Sequence, residues 1–421
     1  MNSSRMTQLM GLMVLGLSMT ACGFVPRGAD AVDQSWYINK CAPHTPELAK
    51  GADPRGSEDI VMDAMGVIYI SSSDYRIEYN SVPRRAGAIY RYDVAGDGEV
   101  KAMRIRSESS RLPSYFEKNF APHGISLLEM GDAKRLFVIN HRIRALPRPA
   151  DKENLANLLN LPAGEVTQSF VEIFRIEKDG DGEMLVHEKS VGDRNALAKG
   201  TEPRGGRGFV LHDLVAVGPQ QFFATNNPRG VQQAIDVTFF RNPIGNIVYY
   251  DGASYQVVKD RIDFADGINI SPDNRHLYTA TVLDGDLVTY KTNLNPAGET
   301  QPKEVTLDEV TPRIRLGGHL DNLEWSNGRR EAILVASHPS IAAFGLQRAQ
   351  APVKAASRIM QVSINKDGMP DVKSAKIVYW NDGSQVSAAS VAAYYKDKKR
   401  ERLIVGSPFE DRFLACKLDA H

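Results

Sequence analysis

Six times along the chain a short run of β-branched and aromatic residues is followed by a polar break and a second alternating run that ends in a charged turn. The first runs are Val67-Ile68-Tyr69-Ile70, Leu136-Phe137-Val138-Ile139, Phe222-Phe223-Ala224-Thr225, Leu277-Tyr278-Thr279-Ala280, Ile333-Leu334-Val335-Ala336 and Leu403-Ile404-Val405-Gly406. Their partners start at Ala88, Val171, Ile247, Asp286, Ile359 and Arg412. Each pair predicts neighbouring antiparallel strands. The first runs are separated by 69, 86, 55, 56 and 70 residues, so a repeating unit carries insertions in three of its intervals. A sheet of that length cannot bury both faces alone, and stacking six around an axis buries them against one another. The expectation is an all-β, six-bladed β-propeller; an irregular β-sandwich is the competing arrangement. Few stretches have sustained helical periodicity; Lys152 to Leu159, bracketed by Pro147, Pro149 and Pro162, is one and is read as a short helix or lid. Gly96-Asp97-Gly98 and Asp179 to Glu183 lack EF-hand ligand spacing and are read as hairpin turns.

Composition narrows this without changing it. The chain has 421 residues with 51 Lys+Arg against 51 Asp+Glu, which excludes a nucleic-acid binder held by bulk charge. The N-terminus reads as an export signal over residues 1–21: Arg5 is the positive start, Leu9 to Leu17 is uncharged and apolar, and the stretch is too short to span a bilayer. Leu17-Ser18-Met19-Thr20-Ala21-Cys22 resembles a bacterial lipobox, with Met19 a departure, so Cys22 is the expected lipidation site; a plain secretory signal is the alternative. The expected location is the cell envelope, with a lipid anchor in the outer membrane facing the periplasm. Residues 22–50 are then a linker and closing segment and residues 51–421 the propeller. With Cys22 lipidated, Cys41 and Cys416 remain, and an oxidising compartment would bridge them and tie the chain ends together; the alternative is two unpaired thiols.

One polar position recurs at nearly constant phase. Glu58, His123, His212, Asp266 and Asp321 precede the first run of their repeats by 9, 13, 10, 11 and 12 residues, and Ser390 precedes the sixth by 13. A strand and a tight turn fill about ten residues, so these positions start the strand before each pair, the innermost of a blade. They converge on one end of the central channel, where Glu58, Asp266, Asp321 and Asn322 form an oxygen-rich cluster. Three carboxylates that close repel one another unless a cation intervenes, and oxygen donors favour calcium over zinc.

At these residues the chain resembles the paraoxonase/arylesterase family, six-bladed propellers with two calcium ions in the tunnel. The resemblance runs from about Gly51 to Leu418. It is carried by Gly56-Ser57-Glu58-Asp59, Pro122-His123-Gly124-Ile125-Ser126, Val138-Ile139-Asn140-His141, Asp213 to Pro219, Phe264 to Asp273, Leu320-Asp321-Asn322 and His338-Pro339. It implies that Glu58, Asp266, Asp321 and Asn322 hold a catalytic Ca2+ and that Asp59, Asp213 and the carbonyl of Ile125 hold a structural one. It also implies that His123 is the general base and His141 its assistant. The family pattern has Asn where this chain has His212 and Asn where it has Asp266. His212 is a candidate metal or substrate contact, and the two departures are expected to be a compensating pair within hydrogen-bond reach.

The resemblance implies hydrolysis of lactones and aryl esters, with a metal-polarised carbonyl and water activated by histidine. The absence of a Gly-x-Ser-x-Gly elbow agrees with chemistry that needs no serine nucleophile. The competing readings are a calcium-stabilised binding module without catalysis and a related propeller enzyme acting on sugar lactones. His338 is read as a blade-loop residue or a substrate contact, and His319 and Ser390 carry no assigned role. The expected partners are a small ester or lactone and, through the lipid, a membrane. Segments Arg142 to Ser169 and Gln347 to Ser357 are expected to build the rim of the site.

Overall fold

The computed structural model describes residues 42–44, 46–73, 75, 86–107, 112–145, 164–180, 182–192, 209–227, 243, 245–296, 299–326, 331–349 and 353–418. The leader with Cys22, the cysteine at 41 and the helix read over Lys152 to Leu159 lie outside them. Among the described residues there are six sheets, five of four strands and one of five. Their innermost strands are Ser57–Met62 (blade I), Pro122–Met130 (II), Leu211–Ala216 (III), Ala265–Ile270 (IV), His319–Trp325 (V) and Val391–Lys396 (VI). Each touches the next, and blade VI touches blade I, so the ring closes. This is the propeller, and it excludes the sandwich.

Period-2 patterning explains the packing. Adjacent residues on a strand point to opposite faces, so Phe222 joins the apolar cluster between blades II and III while Phe223 joins that between III and IV. Leu136 and Phe137 split in the same way, as do Ile60 and Val61. Six such clusters fill the six interfaces between blades. The fully buried strands are therefore continuous apolar runs rather than alternating ones, because both faces are covered.

The ring is closed by the N-terminus. Ala42–His44 adds the outer strand of blade VI, pairing Ala42 with Lys417 and Pro43 with Cys416, which is fully buried. The last run starts at Leu414 rather than Arg412. The insertion between Arg142 and Ser169 is partly sheet: Ala133–Ala145 and Gly164–Asp179 stay paired out to Ala145 and Gly164, extending blade II as a long ribbon. Asp179 and Gly182 face each other across a hairpin turn, as read from the sequence. Two short helices were not legible in the periodicity: α1 (Leu112–Asn119), leading into blade II, and α2 (Ile341–Ala349), between strands of blade V. Each is barely two turns long, and α2 starts where Ser340 Oγ accepts the Ala343 N–H at 3.2 Å. No helix among the described residues is long and apolar enough to cross a membrane.

Candidate metal centre and active site

Five of the six phase-matched residues lie on an innermost strand at a break in pairing. The ladder slips by one residue at Glu58 in blade I, at His123-Gly124 in II, at His212-Asp213 in III, at Asp266-Gly267 in IV and at Asp321-Asn322 in V. These are β-bulges, which free a residue from the ladder and re-aim its side chain. Bulges at the same height on five blades turn five polar side chains toward the axis. Gly124 and Gly267 mark how tightly they meet: a Cβ on Gly124 would lie 2.5 Å from the His212 carbonyl oxygen, and one on Gly267 2.5 Å from that of Asp321. Blade VI has no slip, and Ser390 lies one residue before its strand. Its carbonyl accepts the Asn322 N–H at 3.1 Å and its hydroxyl donates to the Glu58 carbonyl at 2.6 Å, so it joins blades V, VI and I.

Of the expected acidic cluster, Glu58 and Asn322 are in direct contact, and the charges of Asp321 and Asp266 act on Glu58. Asn322 Nδ2 donates to Glu58 Oε1 at 2.9 Å. Burial, then the charges of Asp59 and Asp321, push the Glu58 carboxyl well above its ordinary range. Burial also raises Asp266, against the pull of His212. Glu58 Oε2 and Asn322 Oδ1 are buried and make no hydrogen bond among the described residues. Beside this cluster, Asp59 accepts the N–H of Ile125 at 2.7 Å, and Asp213 accepts that of Ile268 at 2.8 Å. Burial raises both carboxyls, Asp59 to about 7, and the Asp59 charge adds to the shift of Asp213.

The histidines adjoin this cluster. His123 Nε2 lies 3.9 Å from Glu58 Oε1 and 3.4 Å from His212 Nε2, and its ring centroid is 4.6 Å from that of His141. Its Nδ1 meets Tyr75 Oη at 2.6 Å, and Tyr75 donates its proton to the Pro122 carbonyl at 3.0 Å. The phenol has one proton, so its oxygen accepts from His123, which fixes the Nδ1–H tautomer and leaves the Nε2 lone pair facing the tunnel. Burial, then the neighbouring His212 and His141, hold the His123 pKa well below its ordinary value. His141 Nδ1 is 3.1 Å from Ser169 Oγ, which itself accepts the Leu211 N–H.

His212 and Asp266 meet as the sequence suggested: Nδ1 lies 2.5 Å from Oδ1, an ion-pair contact out of line for a hydrogen bond. Burial pushes the His212 pKa down, but the Asp266 and Asp321 carboxylates outweigh it and hold the pKa above its ordinary value. Sequence reasoning missed Tyr75, which no local motif marks, and left His338 open. His338 Nε2 lies 2.6 Å from Asp321 Oδ2, and its ring packs 4.3 Å from Phe344 of α2. His319 bonds the Val282 carbonyl at 2.9 Å and takes a structural place.

An arylesterase family profile matches residues 144–418. Human serum paraoxonase/arylesterase 2 is 28% identical over 383 residues, covering 89% of each chain. Human serum paraoxonase/lactonase 3 is 25% identical over 422 residues, covering 98% of this chain and all of that one. Among solved structures, the luciferin-regenerating enzyme superposes with a TM-score of 0.45 at 11% identity, covering 90% of this chain and 98% of that one. The chain belongs to the paraoxonase/arylesterase family.

Proposed function

We propose that the protein is a calcium-dependent hydrolase of lactones and aryl esters. The observation that carries this reading is a buried cluster of oxygen donors, two of them unpaired, set against a histidine whose lone pair faces the same space. A buried oxygen without a partner costs about 1–3 kcal/mol, and more if charged. A hard cation removes that cost, and carboxylate and amide oxygens are its usual donors. Glu58, Asp266, Asp321 and Asn322 would hold the ion beside His123, and Asp59, Asp213 and the Ile125 carbonyl a second one. When bound, calcium would polarise the substrate carbonyl and stabilise the negative charge that develops on its oxygen.

The remaining work falls to the side chains. His123, kept neutral by burial, takes a proton at Nε2 from the attacking water, and the Tyr75 oxygen holds the opposite ring nitrogen so that the lone pair stays aimed. His141 packs on the His123 ring and restricts its rotation. His338 steadies the Asp321 carboxylate.

We also propose the export and lipid anchor read from Arg5, Leu9 to Leu17 and Cys22, and a Cys41–Cys416 bridge. The bridge is supported by the N-terminal strand that lies beside Cys416. The reaction is tested by assaying purified protein on aryl acetates and on lactones of varied ring size, with calcium and with chelator. Turnover that disappears with chelator and in His123→Gln is expected. A protein that chelator destabilises, yet that hydrolyses none of these substrates with calcium present, would instead be a binding module.

A further inference from the structure

We propose that Glu58, His123 and His212 form a second kind of metal site, one that takes a borderline divalent transition cation such as zinc through two imidazole nitrogens and one carboxylate. The site goes beyond the hydrolase reading and is separable from it, although the two share Glu58. One ligand atom from each residue lies within 4.8 Å of the others, and among the described residues this is the trio of histidine and carboxylate that meets so closely. Nε2 of His123 is 3.4 Å from Nε2 of His212 and 3.9 Å from Glu58 Oε1. Ligands at about 2.0–2.1 Å from one tetrahedral ion sit roughly 3.3 Å apart, so a small inward movement closes the site.

Tautomers show which nitrogens are offered to an ion. Tyr75 fixes the proton of His123 on Nδ1. Asp266, 2.5 Å from Nδ1 of His212, favours the proton on that nitrogen too. Both Nε2 atoms then face one gap beside a carboxylate, 3.4 Å apart, and a proton shared between them or a metal cation fills it. His123 also has the arrangement typical of a metal ligand, its far nitrogen hydrogen-bonded to the Tyr75 hydroxyl, while the far nitrogen of His212 lies in ion-pair contact with the Asp266 carboxylate. Imidazole suits zinc and its neighbours and suits calcium poorly. Reach is available, since the His212 side chain is 25% exposed while those of Glu58 and His123 are 3% and 9% exposed. The site would bind at the expense of catalysis, because a metal on His123 Nε2 occupies the lone pair that takes the water's proton.

The test uses the full, tag-free chain, stripped with chelator and dialysed against excess calcium, then titrated with Zn2+ and, for its visible spectrum, with Co2+. One equivalent of either ion is expected. His212→Asn should weaken that binding about 100-fold or more while calcium uptake persists, and Asp266→Asn should weaken it about 10- to 100-fold. Zn2+ should also inhibit turnover by the wild type and leave His212→Asn unaffected. Electron paramagnetic resonance of the Cu2+-loaded wild type supplies a reading that needs no variant, with coupling to two imidazole nitrogens expected. Absence of that coupling, or His212→Asn binding Zn2+ as tightly as the wild type, overturns the proposal and leaves a proton as the occupant of the gap. Zinc uptake through two nitrogens in a protein that hydrolyses no ester supports this site and removes the hydrolase; calcium-dependent turnover without zinc uptake does the reverse.

Discussion

Asn322 on blade V donates from one amide nitrogen to both Glu58 Oε1 and the Glu58 backbone carbonyl of blade I, at 2.9 and 3.2 Å, across 264 positions of sequence. This contact spans the tunnel mouth and holds a buried carboxylate whose other oxygen is unpaired. Glu58→Gln keeps the shape and removes the charge, so its sign of effect depends on the ion. In chelator the variant is expected to melt about 2–5 °C above the wild type, because the repulsion from Asp59 and Asp321 is gone. With calcium the order reverses, because the variant loses a ligand. Differential scanning calorimetry under both conditions checks this, and a variant less stable than the wild type in both would remove the argument from charge repulsion.

The ion-free protein should lose stability as pH rises, the opposite of ordinary acid denaturation. The carboxyls of Glu58, Asp59, Asp213 and Asp266 are raised by burial above their unfolded values. A raised carboxyl contributes stability that is complete below its unfolded pKa and is lost as pH climbs through the folded one, about 7 for Asp59. His212, also raised, loses its contribution in the same direction, whereas His123, lowered, works the other way below about pH 6.5. One group against five does not change the sign. Between pH 6 and 8, Tm in chelator should fall; with calcium the dependence should flatten or invert, since the ion favours ionised ligands and its binding releases protons.

Removing the base and removing its support should differ in size. His123→Gln is expected to lower kcat on aryl acetates by about 10²- to 10⁴-fold. Tyr75→Phe removes the acceptor that fixes the tautomer and should cost roughly 10-fold in kcat with KM nearly unchanged. Because burial holds the His123 pKa below its ordinary value, the acid limb of kcat/KM should lie below pH 6.5. Steady-state kinetics across pH in calcium-saturated buffer reads all three, and Tyr75→Phe as damaging as His123→Gln would move the proton-taking role away from His123.

Much of this was legible before any coordinates because strand pairing and burial are encoded at period 2. The runs at Val67, Leu136, Phe222, Leu277, Ile333 and Leu403 all begin or lie within second strands, and the polar residues before them all fall at or beside the start of first strands. The five bulges were hidden, since a one-residue slip leaves no composition signature beyond the glycines at 124 and 267. Tyr75 and His338 were hidden for a different reason: what makes them matter is a partner that no local motif marks, His123 of the next blade for one and Asp321 of the neighbouring strand of blade V for the other. The His212 and Asp266 contact was legible because two departures from one pattern balance in charge. Helices α1 and α2 are too short for periodicity to stand out.

Closure of the ring makes a separate prediction. If Cys41 and Cys416 are bonded, Cys41→Ser, Cys416→Ser and the double variant should lose similar stability, about 2–4 kcal/mol, because either substitution already breaks the bridge. Thermal melts of the three proteins check this, and costs that add in the double variant would mean the two sulfurs act independently.

The account stands on side chains from separate blades gathering calcium on the tunnel axis. Equilibrium dialysis of the purified chain against radioactive calcium tests this directly. Two tightly held ions per wild-type chain and one per Glu58→Gln chain, the lost ion taking ester turnover with it, are the predicted result. A wild-type chain that retains no calcium, or a Glu58→Gln chain that retains as much as the wild type, would contradict it.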